Sequence, residues 1–314
     1  MALVDSLGDS YTRRALAEIV IIGALCGAVG VHVVLRRLSF LTMAMTHATF
    51  PGVVIASLLG MNLVLGAGLF GVLAVAAVTT ISGVSGAAGN SGGVGGAGAG
   101  RGGSGGGRDV STVTGVVLSG GFALGVALMS AQDGSNRDLS AFLVGSILTV
   151  QPADLVVSAI TALVVLVVLV ALRKELLLAA FDPTALTAAG YPSRRLGLVL
   201  LLLVEAAVVT SLPAVGTIMA VALIVGPAAT ARVWCSRIPT MTAVSVAVAI
   251  ICGVGGLAVS EQWDVAAGGA IVLTVAAALV SSLVLAPLVG RSGRDAPGGR
   301  RARPVPSVAA THQG

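Results

Sequence analysis

Apolar runs close to the roughly 20 residues needed to cross a hydrocarbon core recur along almost the whole of this chain. A segment surrounded by lipid must satisfy its backbone hydrogen bonds internally, so only helices and closed barrels can span. Barrels require period-two alternation, and stretches such as Ile160 to Leu172 run apolar without it. The expected fold class is therefore an all-α polytopic membrane protein. Composition agrees, with 56% apolar and 10% charged residues, against about 25% charged in soluble domains.

The pattern predicts about nine transmembrane helices, over 16–35, 43–60, 62–82, 111–131, 152–172, 196–211, 213–232, 240–260 and 265–287. They fall into an N-terminal group (1–82) and a second group (111–287). Residues 83–110 are almost entirely Gly, Ala, Ser and Val and read as a flexible cytoplasmic linker, and 288–314 as a disordered cytoplasmic tail. With the N-terminus outside, only Arg13, Arg14 and Arg137 of the 18 basic residues face outward, a positive-inside bias that sets the orientation. Asp5, Asp9, Asp133, Asp138, Asp154, Glu261 and Asp264 then lie near the outer surface. They either form an acidic mouth that concentrates cations or fill loops where positive charge is disfavoured.

Several chemistries are excluded or demoted. A nucleic-acid partner needs basic residues gathered on one soluble face, which this pattern lacks. Cys26, Cys235 and Cys252 stand singly, without the spacing of a thiolate cluster. The only lysine, Lys174, precedes Glu175 and not Ser or Thr, so the glycine-rich stretch is no phosphate loop and the chain carries no ATPase site of its own. The chain is expected to be no enzyme and to hold no tightly bound cofactor.

His47 is the leading site candidate. An imidazole in an apolar span is costly unless it faces a cavity or partner, and imidazole is the commonest ligand for borderline divalent metals. Helix spacing puts Met43 and His47 on one face, with Thr46 beside them. The alternative is a buried histidine bonded to backbone near Pro51. Glu205, within the sixth span, either lines an aqueous route, makes a structural hydrogen bond or is a neutral buried acid. Glu18, which has Arg14 one turn back as a possible partner, and His32, near the cytoplasmic end of its span, read as structural. Asp182, Pro183 and Gly190 have the order of an N-cap, a first helical residue and a terminator, which predicts one short helix after Phe181. Gly226-Pro227 is expected to break or kink the seventh span, as a gate or as a passive bend.

The run Val33 to Leu41, containing Arg36-Arg37-Leu38-Ser39-Phe40, continues into Thr42-Met43-Ala44-Met45-Thr46-His47-Ala48-Thr49-Phe50-Pro51-Gly52. It resembles the Arg-Arg-Leu-Ser-Phe turn and Gly-Asp-Ala-x-Ser-His-Ala-x-x-Pro-Gly of the metal-permease family of ABC importers. Phe142 to Leu148, Arg173 to Leu176, Phe181-Asp182-Pro183 through Gly190, Ala214-Val215-Gly216 and Pro227 to Arg232 resemble further family segments in the same order. The resemblance runs collinearly over about 13–285. It implies a fold like the vitamin B12 importer permease (the type II ABC importer) and a location in the bacterial cytoplasmic membrane. It also implies transport of a divalent transition metal (manganese, zinc or iron) by two permease copies, a cytoplasmic ATPase subunit and an extracellular metal-binding lipoprotein. On this resemblance the cytoplasmic segment 173–195 carries, over 181–190, the coupling helix that docks on the ATPase; the alternative is an interfacial helix resting on lipid. Met43 stands where the family has Asp, replacing a hard carboxylate oxygen with a thioether that suits softer ions. A permease for a metal chelate or organic cofactor is the runner-up reading. A proton-coupled secondary transporter using Glu205 and a membrane metalloenzyme rank lower.

Overall fold

The structure, a computed structural model, describes residues 10–61, 63–81, 110–131 and 150–292. Every regular element among them is α-helix. The helices are α1 (Ser10–Leu35), α2 (Ser39–Ala48), α3 (Phe50–Leu58), α4 (Leu63–Ile81), α5 (Val110–Ser130), α6 (Pro152–Ala171), α7 (Arg173–Phe181), α8 (Pro183–Ala188), α9 (Ser193–Val215), α10 (Thr217–Trp234), α11 (Ile238–Trp263) and α12 (Ala267–Ser292). The linker over 83–109, the Phe142 to Leu148 segment, four of the seven acidic residues (Asp5, Asp9, Asp133 and Asp138) and the tail beyond Ser292 lie outside the described residues.

Among the described residues, seven segments are long and apolar enough to cross a membrane, with α2 and α3 together forming one of them. The apolar helices α5 and α10 are shorter over their described side chains. Against the expectation of about nine spans, the described residues give seven by length and composition, plus two shorter apolar helices.

Burial separates central from peripheral helices. In the most apolar windows of α1, the α2–α3 segment and α9, 72% of residues are buried inside the protein, against 22% in α6 and α12. The central position of α1 follows from its small residues. A methyl group at Gly27 would come within 2.8 Å of the Val246 Cα on α11, and one at Gly30 would collide with the Ile224 carbonyl on α10. Small residues one turn apart let helix backbones approach where lipid supplies no hydrophobic drive for association. The Ser245 hydroxyl, donating to the Gly27 carbonyl at 2.8 Å, fastens α11 to α1 at this crossing.

Two interruptions shape the interior. The first lies at Thr49, between α2 and α3, where Pro51 has no N–H to return to the His47 carbonyl and carry one helix through. The second lies at Gly216, with φ +86° and ψ 166°, between α9 and α10. That backbone region is open essentially to glycine alone. The sequence pattern placed the boundary near residue 212; instead α9 continues through Pro213 to Val215. Conversely, α10 runs through Gly226 and Pro227 uninterrupted, so the anticipated break is absent there.

Candidate functional site

The candidate site begins with α2, the first half of a span that stops in the interior of the bundle. Its inner face and the residue that caps its end carry three buried threonines whose hydroxyls all turn back to their own chain. Thr42 donates to the Leu38 carbonyl at 3.1 Å, Thr46 to Thr42 at 2.9 Å and Thr49 to Thr46 at 2.9 Å. Thr46 is fully buried, whereas Met43 is 44% exposed. Of these two neighbours one turn apart, Thr46 therefore packs into the bundle and Met43 is presented outward.

His47 is half-buried, one helical turn beyond Met43. Its Nδ1 lies 2.9 Å from the Met43 carbonyl, which only accepts, so Nδ1 donates and Nε2 faces away from that bond. A backbone carbonyl that fixes one ring nitrogen and leaves the other for a ligand is the usual support of a metal-binding histidine. The imidazole also packs on Phe122 of α5, with ring centroids 5.7 Å apart, and Phe122 stacks on Phe50 at 5.8 Å. Gly121 and Gly125 flank Phe122 and permit this approach. A methyl at Gly121 would come within 2.8 Å of the Ala48 Cα, and one at Gly125 would enter the Phe50 ring.

Glu205 lies on α9, 2% exposed, and neither carboxylate oxygen has a hydrogen-bond partner among the described residues. The carboxylate lies against Gly71 of α4, filling the space a side chain there would need. One turn away on both helices, Ala67 and Val209 help line an apolar cavity of about 30 Å³ with Phe50, Leu212, Pro213 and Thr217. No group of three or more His, Cys, Asp or Glu residues able to hold a metal occurs among the described residues. His47 is thus presented without a clustered ligand set.

Glu18 takes a 2.6 Å hydrogen bond from the Ser158 hydroxyl of α6. Its partner is therefore on a neighbouring helix, whereas Arg14, the candidate suggested by sequence, is exposed. His32 bonds within its own helix, 3.3 Å from the Ala28 carbonyl.

The segment after α6 contains two short helices where one was expected. Asp182 caps α8 as the sequence order implies, its Oδ1 accepting from the Ala185 N–H at 2.9 Å and the Thr184 hydroxyl at 2.6 Å. These bonds, the Thr184 hydroxyl first, hold its carboxyl below the ordinary aspartate range. Gly190 ends the segment in the left-handed region at φ +80°. Phe181 is 67% exposed, while Leu186 is fully buried and anchors α8. The extra helix, α7, was missed because Arg173-Lys174-Glu175 begins it with charge and it covers only a few turns.

Comparison with known proteins fits this architecture. The model of the ABC 3 transport family matches residues 8–90 and 107–286. The manganese import system permease protein ScaB of Streptococcus gordonii is 34% identical over 277 residues, covering 88% of this chain and 92% of that one. The manganese transport system membrane protein MntC of Halalkalibacterium halodurans is 30% identical over 284 residues, covering 90% of each. A chain of the solved structure of PsaBC from Streptococcus pneumoniae in complex with Fab aligns with a TM-score of 0.77 and 31% identity, over 91% of this chain and 96% of that one. A second solved chain, described as a metal-chelate type ABC transporter in an inward-facing conformation, shares the fold at a TM-score of 0.64 and 16% identity, over 89% of this chain and 86% of that one. The helical architecture is that of type II ABC importers, and the chain belongs to the ABC 3 transport family, the membrane permease subunits of metal ABC transporters.

Proposed function

We propose that this chain forms the translocation pathway of an ATP-driven importer for a divalent transition metal, manganese first, with zinc and iron as the competing ions. The carrying observation is His47, whose Nδ1 is held by the Met43 carbonyl while the ring sits half-buried at the interruption of a central span. Relatives named as manganese permeases over nearly the full length support the choice of ion. In this reading His47 is the first pathway ligand, Met43 lines the same face and Glu205 offers a carboxyl group deeper in the bundle that ionises when a cation reaches it. Thr46 acts as a helix-internal support. Gly226 and Pro227 are a point of bending in α10 during gating.

The assembly includes a second permease copy, a cytoplasmic ATPase subunit and an extracellular metal-binding lipoprotein. Phe40 and Met43 are about half exposed on a span that is mostly buried, which suits a face turned toward a second copy across a shared path. The ATPase docks on Phe181, Asp182, Pro183 and Gly190. The protein sits in the bacterial cytoplasmic membrane, with the N-terminus outside and the C-terminus in the cytoplasm.

The test is metal accumulation in cells expressing the chain with its ATPase and binding protein, comparing the native sequence with His47→Ala under limiting manganese, zinc and iron. Selective loss of one ion at unchanged expression supports the reading and names the ion. Unchanged uptake of all three removes His47 from the path. It shifts the assignment to a chelate or cofactor permease, a reading that Met43 in place of a carboxylate favours.

A further inference from the structure

Three parts of the chain meet at the turn between α1 and α2. The turn closes as a Schellman motif, with the Leu38 N–H donating to the Val33 carbonyl at 2.9 Å and the Arg37 N–H to the Val34 carbonyl at 3.2 Å. Arg37 takes a left-handed φ of +55°, a conformation that costs a non-glycine residue about 1 kcal/mol or more. Its side chain is exposed. Arg36 turns the other way and is only 7% exposed, its Nη2 donating to the Leu176 carbonyl of α7 at 3.1 Å, 140 residues away in sequence. Arg232, in the last turn of α10, donates to the Val34 carbonyl at 3.4 Å.

Burying a guanidinium is expensive, and arginine's long stem ordinarily lets the charge reach water, as at Arg37. Arg36 instead spends its charge on a backbone carbonyl of the helix that leads directly into α8. Leu176 and Leu186 are both fully buried, so α7 and α8 are each anchored to the bundle by a leucine. On the other side of the bond the strained turn leaves no slack before α2 starts at Ser39. We propose that Arg36 is a positioning residue of the transport cycle, the strut through which displacement of α7 and α8 by the ATPase is delivered to α2 and His47. This rests on the reading of α8 as the ATPase-docking element.

The experiment uses the complete complex of permease, ATPase and metal-binding protein in vesicles of phosphatidylethanolamine and phosphatidylglycerol, with manganese as the probe. ATP hydrolysis and manganese uptake are measured on the same vesicles. For Arg36→Ala the complex assembles, hydrolysis stays within about twofold, and ATP consumed per ion rises about tenfold or more. Arg36→Lys, which keeps a charged donor without the planar fork, falls between. A fall of hydrolysis and uptake in equal proportion, or an unchanged ratio, overturns the strut; if Arg36→Ala does not fold, the ratio for Arg36→Lys decides alone. Failure of the docking reading shows separately, as full retention of the ATPase by the variants Phe181→Ala and Asp182→Ala.

Discussion

The carboxylate of Glu205 occupies the volume that a side chain at Gly71 would need, so the two residues on α9 and α4 form one interlocked contact. Gly71→Ala should therefore destabilise the protein by about 1–3 kcal/mol through overpacking. Shortening the partner in Gly71→Ala/Glu205→Ala should recover part of that cost, a coupling measurable by thermal unfolding in detergent. Glu205→Gln keeps the shape and removes the charge, and should retain stability while lowering metal uptake. Full uptake by that variant would mean that the carboxylate is only a packing group.

Met43 lies one turn before His47 on the more exposed face of α2. Met43→Asp places a hard oxygen there and should raise manganese uptake at limiting ion, while lowering competition by softer ions such as copper(I). Competition assays in cells check both directions. A fall in manganese uptake at normal expression would show that the path is built around the thioether.

Gly216 separates α9 from α10 in a backbone region that other residues enter at a cost. Gly216→Ala should lose about 1–3 kcal/mol of stability. Gly68, on an open face where an added methyl meets nothing within 4 Å, is the control, and Gly68→Ala should leave the unfolding temperature unchanged or raised.

Asp182 is fully exposed, and its carboxyl is held below the ordinary aspartate value of 3.8 by the Thr184 hydroxyl and then by the Ala185 N–H. A lowered folded value gives a contribution fully present above 3.8 and lost only as pH falls through that lower value. Asp182→Ala should therefore weaken ATPase retention by the same factor at every pH from about 5 to 8. Co-purification across that window checks it, and a difference that shrinks toward pH 5 would assign the effect to another group.

What was legible in the sequence divides along physical lines. Apolar length exposed the spanning segments because lipid tolerates no unsatisfied backbone, and the Asp182-Pro183-Gly190 order exposed α8 because capping is a local matter. The end of α9 was not legible: Pro213 invites a boundary, yet a helix ends where the backbone turns, and that is at Gly216. Pro227 shows the converse, a proline carried inside a continuous helix. Spacing put Thr46 beside Met43 and His47, but its full burial was not legible, because packing of α2 against its neighbours decides that. The partner of Glu18 was invisible because Ser158 comes from a distant helix.

The threonine ladder of α2 has a mechanical meaning. Between α1 and α6, and between α1 and α11, side-chain bonds tie one helix to another, as at Ser158–Glu18 and Ser245–Gly27, and sliding either pair breaks them. The hydroxyls of Thr42, Thr46 and Thr49 close on carbonyls three or four residues back, between Leu38 and Thr46, so α2 and its two capping residues carry these polar bonds together. Its inner face is greased, not bolted, and the helix that bears His47 can shift as a rod without breaking any of the three.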